Sequence, residues 1–205
     1  MAYQGSWART VDAATEPITT AEAKTQLVID HSDDDTFIDT LIVAARKYCE
    51  RFTRRALITQ TWVLSRDEFP SGSTIGEANT DIYFPVNPVL GITTFAYTDT
   101  AGDAQTLSAG TGYQLDTNRE PGRVTVPVSG SWPAVQTGKV NAVQITFTAG
   151  YGAASAVPED IKHAIKLLVA HWYENREAVA VGVASKEIEF AVKAILMPYV
   201  VVEIQ

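Results

Sequence analysis

His163 and His171 lie eight residues apart in the run VPEDIKHAIKLLVAHWYENRE (157–177), and histidines on one helix face are a common way to hold a divalent metal. Eight helical residues rise about 12 Å, too far for one ion to bind both, and neither histidine has Glu or His at HExxH spacing. Asp33, Asp34 and Asp35 offer the carboxylates of a calcium loop. Ile38 stands where that loop needs glycine, however, and no Glu closes it. Gly110-Thr111-Gly112 begins like a dinucleotide loop, with Leu115 in place of the third glycine and no helix after it. Ser131, in Gly130-Ser131-Trp132, lacks the second glycine of a nucleophile elbow. Cys49 is the one cysteine, so neither an intrachain disulfide nor a thiolate metal cage can form, and the chain is expected to fold in a reducing cytosol. These residues assemble no catalytic or metal-binding grouping; the expectation is no enzyme, no metal and no cofactor.

Two other groups have the chemistry of contact. Arg46, Lys47, Arg51, Arg54 and Arg55 form the one basic cluster. It reads either as a solvated helix face that complements the helix C-terminus, with Glu50 and Arg54 at i, i+4, or as a surface for an acidic protein partner or DNA. Trp172, Tyr173, Glu174, Asn175 and Arg176 read either as pocket lining or as core with interface anchors, since Trp, Tyr and Arg dominate interface energetics.

The elements that must position these groups follow from periodicity. Residues 1–17 carry none and read as an arm. Thr19 with Glu22 has capping-box spacing and predicts a helix over 20–29; Ser32 with Asp35 repeats the pattern and predicts a second helix to Arg54. Phe37, Leu41, Ala44, Tyr48 and Phe52 mark its apolar stripe, widened by Ile38, Ile42, Ala45 and Cys49. From Leu57 the period changes, and strands are predicted near 59–68, 81–84, 92–98, 113–116, 122–128 and 140–148, with DTAGD (99–103) closing a hairpin onto 104–107. Six of the nine prolines fall between residues 70 and 152, as turns between short strands require. In 140–148, Val143, Ile145 and Phe147 alternate with Ala142, Gln144 and Thr146, which predicts one buried face. Pro158 at N1 restarts helix, with Ile161, Ile165, Leu168 and Trp172 as its primary stripe and Leu167 and Ala170 opposite. A last helix is expected over 186–196, stopped by Pro198, before the strand-prone tail YVVVEIQ.

The chain has 205 residues, 46% apolar and 20% charged, the composition of a globular protein with a substantial core. Its formal net charge of −8 argues against wrapping or scanning nucleic acid, which Lys and Arg drive by releasing phosphate counterions. Neither a secretion signal nor a membrane span is predicted.

Four stretches carry a resemblance: EPITTAEAKTQLVID (16–30), DDDTFIDTLIVAARKYCERFTRRALITQTW (33–62), YTDTAGDAQTL (97–107) and FTAGYG…VPEDIKHAIKLLVAHWYENRE (147–177). In this order they resemble the tailed-phage head-tail connector, or adaptor, family, which also occurs in prophages and gene transfer agents. The resemblance implies a helical core interrupted by a β module. It also implies copies in a dodecameric ring under the portal in the virion neck, joining it to a stopper or tail-side neck protein while DNA passes through without sequence-specific binding. No catalytic residues come with it, and the chain would be made in the host bacterial cytoplasm. One departure is the terminus, where Pro198-Tyr199 continues as VVVEIQ.

The expectation is therefore an α+β fold divided into an arm (1–18), a helical connector core (19–56 and 153–198), a β-rich insertion (57–152) and a tail (199–205). Leu167, Trp172, Tyr173 and Arg176 are the expected subunit contacts. Tyr199, Val200, Val201, Val202 and Ile204 are expected to dock on the portal as an added strand. The alternative is a virion-associated binding module whose β insertion recognises a host surface or carbohydrate. That reading requires Tyr83, Phe84, Tyr97, Tyr113 and Trp132 to converge on an exposed face.

Overall fold

The computed structural model describes residues 5–71, 80–127, 130–176 and 184–202, with backbone alone over 184–189. The fold is α+β, in two units. One takes the chain up to Asp12, Thr59–Gly150 and the chain from Val202; the other takes Ala13–Ile58 and Tyr151–Val201.

The second unit is helical. Its first helix, α1 (Thr20–Leu27), opens with the expected capping box: Glu22 N–H donates to Thr19 Oγ1 at 3.2 Å, and Thr19 N–H donates to Glu22 Oε2 at 2.7 Å. The long helix α2 (Asp35–Thr53) lacks the expected Ser32 box. Asp34 is its N-cap and makes no side-chain capping bond, because that carboxylate is used elsewhere. Two further helices, α3 (Glu159–Glu174) and α4 (Ala184–Leu196), complete the unit, and Pro158 is the N-cap of α3 rather than its first helical residue.

On α2 the fully buried line is Ile38, Ile42, Ala45 and Cys49, which join Ile161, Ala164, Ile165, Leu168 and Val169 of α3 in one core cluster. The stripe expected through Phe37, Leu41, Tyr48 and Phe52 lies on its half-buried flank, and Ala44 is exposed. Small Ala45, Cys49 and Ala164 at the centre let the helix backbones approach, which leaves the bulky rings at the edges. Burial pushes the Cys49 thiol up to about 12, with Glu50 adding to the effect, so this cysteine behaves as a small apolar residue.

The helical unit also buries a cation. Arg46 is 2% exposed; its Nε reaches Glu16 Oε2 at 2.8 Å and its Nη1 reaches Glu50 Oε2 at 2.9 Å. The other oxygen of Glu50 accepts the Leu57 N–H at 3.1 Å. One guanidinium thus ties the lead-in to α1 and the exit from α2 to a single helix turn.

In the first unit, β2 (Gln60–Arg66) and β4 (Val89–Thr98) flank β8 (Val143–Ala149) in an antiparallel sheet. Val143, Ile145 and Phe147 are fully buried and Gln144 is exposed, as the alternation predicts, although Ala142 is buried too. A short β5 (Ala104–Thr106) closes the expected hairpin on β4, across a turn in which Asp99 Oδ1 accepts the N–H groups of Ala101 and Asp103, each at 3.0 Å. The opposite edge of the sheet was expected to be arm. It is β1 (Ser6–Val11), paired with β2 from Ser6↔Ser65 through Val11↔Thr61. A second sheet runs β3 (Ile82–Tyr83), β7 (Arg123–Thr125) and β6 (Gln114–Asp116).

Removing one partner of a buried ion pair leaves the others uncompensated. Arg46→Ala is therefore expected to destabilise the helical unit by about 3 kcal/mol, measured by urea denaturation.

Candidate functional site

At the end of α3 the structure gathers Tyr173 and Arg176 with two residues that sequence reasoning left out of the site, Asp34 and Phe37. Arg176 Nη2 lies 2.9 Å from Asp34 Oδ2, and the Tyr173 hydroxyl donates to the same oxygen. The Arg176 guanidinium lies 4.7 Å from the Phe37 ring centroid and 4.7 Å from that of Tyr173, a cation–π arrangement. The Tyr173 hydroxyl and the Arg176 guanidinium hold the Asp34 carboxyl below the usual carboxylate range, and Asp34 in turn raises both partners. Asp34 lies 139 and 142 residues from these partners, so no local pattern announces the site. The missing capping bond at Asp34 is its local trace.

Trp172 meets Tyr48 edge-on at 6.4 Å, and Tyr48 stacks on Phe52 at 6.4 Å. Leu167, Trp172 and Tyr173 are half-buried against the core, while Arg176 is exposed. The group is an aromatic edge with a fixed cation.

The basic cluster divides. Lys47, Arg51 and Arg54 are exposed, whereas Arg46 and Arg55 are buried and cannot face a partner. Arg46 holds Glu16 and Glu50. Arg55, 8% exposed, donates from Nε to the Tyr199 carbonyl at 2.6 Å and lies 5.8 Å over the Tyr151 ring.

The tail divides as well. Tyr199 donates its hydroxyl to Asp160 Oδ2 at 2.9 Å, Val201 is buried with its N–H bonded to Thr53 O at 3.0 Å, and Val200 is half-buried. Val202 is 74% exposed, and Ile204 lies outside the described residues. The chain through Val201 is thus built into its own helical unit, and an added strand would have to begin at Val202.

The aromatic residues that the binding-module alternative requires do not converge on an exposed face. Phe84, Tyr113 and Trp132 are buried, and Tyr83 and Tyr97 are half-buried. Trp132 stacks on Phe69 at 4.9 Å and donates its indole N–H to Thr80 O at 2.9 Å, and Phe84 packs on Phe147 at 4.7 Å. They are the core of the β unit.

His163 is exposed on α3, and His171 is half-buried with Asn175 Nδ2 3.2 Å from its Nδ1. Ser131 is exposed, and Gly110–Gly112 lies in a turn in which Gly112 N–H donates to Ser108 O. Among the described residues no group of three or more His, Cys, Asp or Glu is arranged to hold a metal ion, and no helix is long and apolar enough to cross a membrane.

The exposed chemistry of these surfaces is that of contact. The chain belongs to the head completion protein family, whose model matches residues 16–204. Among solved structures it is similar to a chain of the neck of an empty gene transfer agent (GTA) particle computed with C6 symmetry, at 25% identity and a TM-score of 0.78 over 98% of this chain and 97% of that one. It is similar to a chain of the neck of a native GTA particle computed with C12 symmetry, at 26% identity and a TM-score of 0.69 over 98% and 97%. A chain of the virion of the native GTA particle shares the fold, at 24% identity and a TM-score of 0.76 over 97% of each. Comparison with curated proteins gave no match.

Because the folded pKa of Asp34 is depressed, its contribution to stability is present above the ordinary carboxylate value near 4 and is lost as pH falls through the lower folded value. A carboxyl NMR titration should give a midpoint below that ordinary value, and in Asp34→Asn the Tyr173 phenol should titrate closer to 10.

Proposed function

We propose that the protein is a structural subunit of the head-tail neck of a phage-like particle, an adaptor that forms a closed ring, dodecameric in this reading, under the portal and joins it to a stopper or tail-side neck protein. The observation that carries the proposal is the family match over residues 16–204 together with near full-length similarity to neck chains at 25% and 26% identity. The symmetries of those neck reconstructions, C6 and C12, support a ring. Its role is to hold and join, without a reaction of its own.

Physical features of the chain fit this role. Leu167, Trp172, Tyr173 and Arg176 form a partly exposed aromatic edge held rigid by Asp34 and Phe37, and prepaid rigidity reduces the entropy lost on association. A ring whose subunits each carry a formal charge of −8 surrounds DNA with like charge, which favours passage over adhesion. The portal contact falls to the chain from Val202 onward, where the alternation of Val202 and Ile204 with Glu203 and Gln205 is suited to pairing with an exposed sheet edge.

Mixing the purified chain with a portal ring tests the proposal, with a stoichiometric complex as the expected outcome. Deleting residues 202–205 should abolish that complex while leaving the circular dichroism and melting temperature of the chain unchanged, since the anchor of Val201 to Thr53 stays in place. Undiminished binding by the truncated chain would remove the tail from the contact.

A further inference from the structure

The helix α2 carries opposite charge at its two ends. On its C-terminal half Lys47, Arg51 and Arg54 follow at i, i+4 and i+7, which places them on one face, and all three are exposed. Lys47 and Arg51 make no ion pair among the described residues. Beside this end the turn Met197–Tyr199 is held by Arg55 and by the bond from Val201 to Thr53, and it leaves Met197 64% exposed.

At the other end the chain arriving from α1 forms a corner of opposite sign. Asp30 is exposed without an ion pair among the described residues, and Asp33 has only His31, at 3.9 Å. Val28 in the same corner is 92% exposed and closes α1 in the left-handed region at φ 58. A β-branched residue there is a conformational outlier, and water gains nothing from its side chain. The capping bond from the Val28 N–H to Thr25 O at 3.4 Å holds it there. Val28 lines an open groove with Lys24, Thr25, Ile29, Asp30 and Asp35. The neighbouring Asp34 joins this corner to the Tyr173–Arg176 edge.

We infer that these two surfaces are the halves of one head-to-tail contact: the Lys47–Arg51 face of one copy docks on the Val28–Asp30–Asp33 corner of the next copy. The exposed charges of the two halves are complementary in sign. The halves stand at opposite ends of a 19-residue helix, about 28 Å long at 1.5 Å per residue. A surface that meets a different surface on the next copy is heterologous, and repeated rotation then closes a ring. This inference rests on the ring reading above and names the surfaces that would close it.

Charge reversal tests the pairing in particles made with the chain supplied in the producing host, with copies of the chain per purified particle counted by mass spectrometry. Circular dichroism of each purified variant checks folding, which exposed substitutions should not disturb. Lys47→Glu with Arg51→Glu places like charges across the contact and should lower incorporation about tenfold or more. Asp30→Lys with Asp33→Lys should do the same. The fourfold variant restores opposite signs in exchanged positions and should recover incorporation. Normal incorporation of either two-site variant, or failure of the fourfold variant to recover, would overturn this contact while the wild-type chain still forms a ring. Absence of wild-type chain from the necks would overturn the ring reading itself.

Discussion

Arg46 is the residue around which the helical unit is organised. A guanidinium taken out of water is expensive unless carboxylates replace the lost hydration, and here Glu16 and Glu50 do so at 2.8 and 2.9 Å. The chain passes between the two units four times, after Asp12, Ile58, Gly150 and Val201. On the helical side each passage is tied to the second half of α2 or to the residues just after it. Glu16 is held by Arg46, the Leu57 N–H by Glu50, the Tyr151 N–H by the Leu57 carbonyl and the Val201 N–H by the Thr53 carbonyl. Arg55 adds a second hold on the last two through the Tyr151 ring and the Tyr199 carbonyl. A helical unit assembled from two separated stretches of chain is thereby fastened at one place.

This accounts for what the sequence made legible and what it hid. The capping box at Thr19, the alternation through Val143, Ile145 and Phe147, and the turn at Asp99 are local, so residue type and spacing suffice to find them. The strand β1 was missed because an exposed edge strand needs no apolar period: SWARTV is ordered by backbone pairing with β2 and by Arg9 over the Trp62 ring at 5.8 Å. Arg46 and Arg55 looked like members of a surface cluster because their partners, Glu16 and Tyr199, lie 30 and 144 residues away. The aromatic residues that mark the apolar stripe of α2 in the sequence lie on its half-buried flank. In this core isoleucines and small residues form the buried line, and the rings seal the edges.

The candidate site follows the same physics. Trp172, Tyr173 and Arg176 stand out by composition alone, since such residues are enriched at interfaces. What makes them a defined surface is Asp34, which gives up a capping bond to orient Tyr173 and Arg176. An assembly protein needs faces that keep their shape before a partner arrives, and a fixed cation between two rings provides one. Phe84, Tyr113 and Trp132 of the β unit serve a different end, filling the interior of that unit. Membership of the head completion protein family agrees with a chain that uses its polar chemistry to hold surfaces in place.

The most direct measurement of the central claim is a cryo-EM reconstruction of the neck of purified particles containing this chain, refined without imposed symmetry. The expected result is a closed ring of copies at the head-tail junction, each with the four-helix unit and with Asp34 still bound to Tyr173 and Arg176. A neck lacking the chain, or holding isolated copies that touch no neighbour, would contradict it.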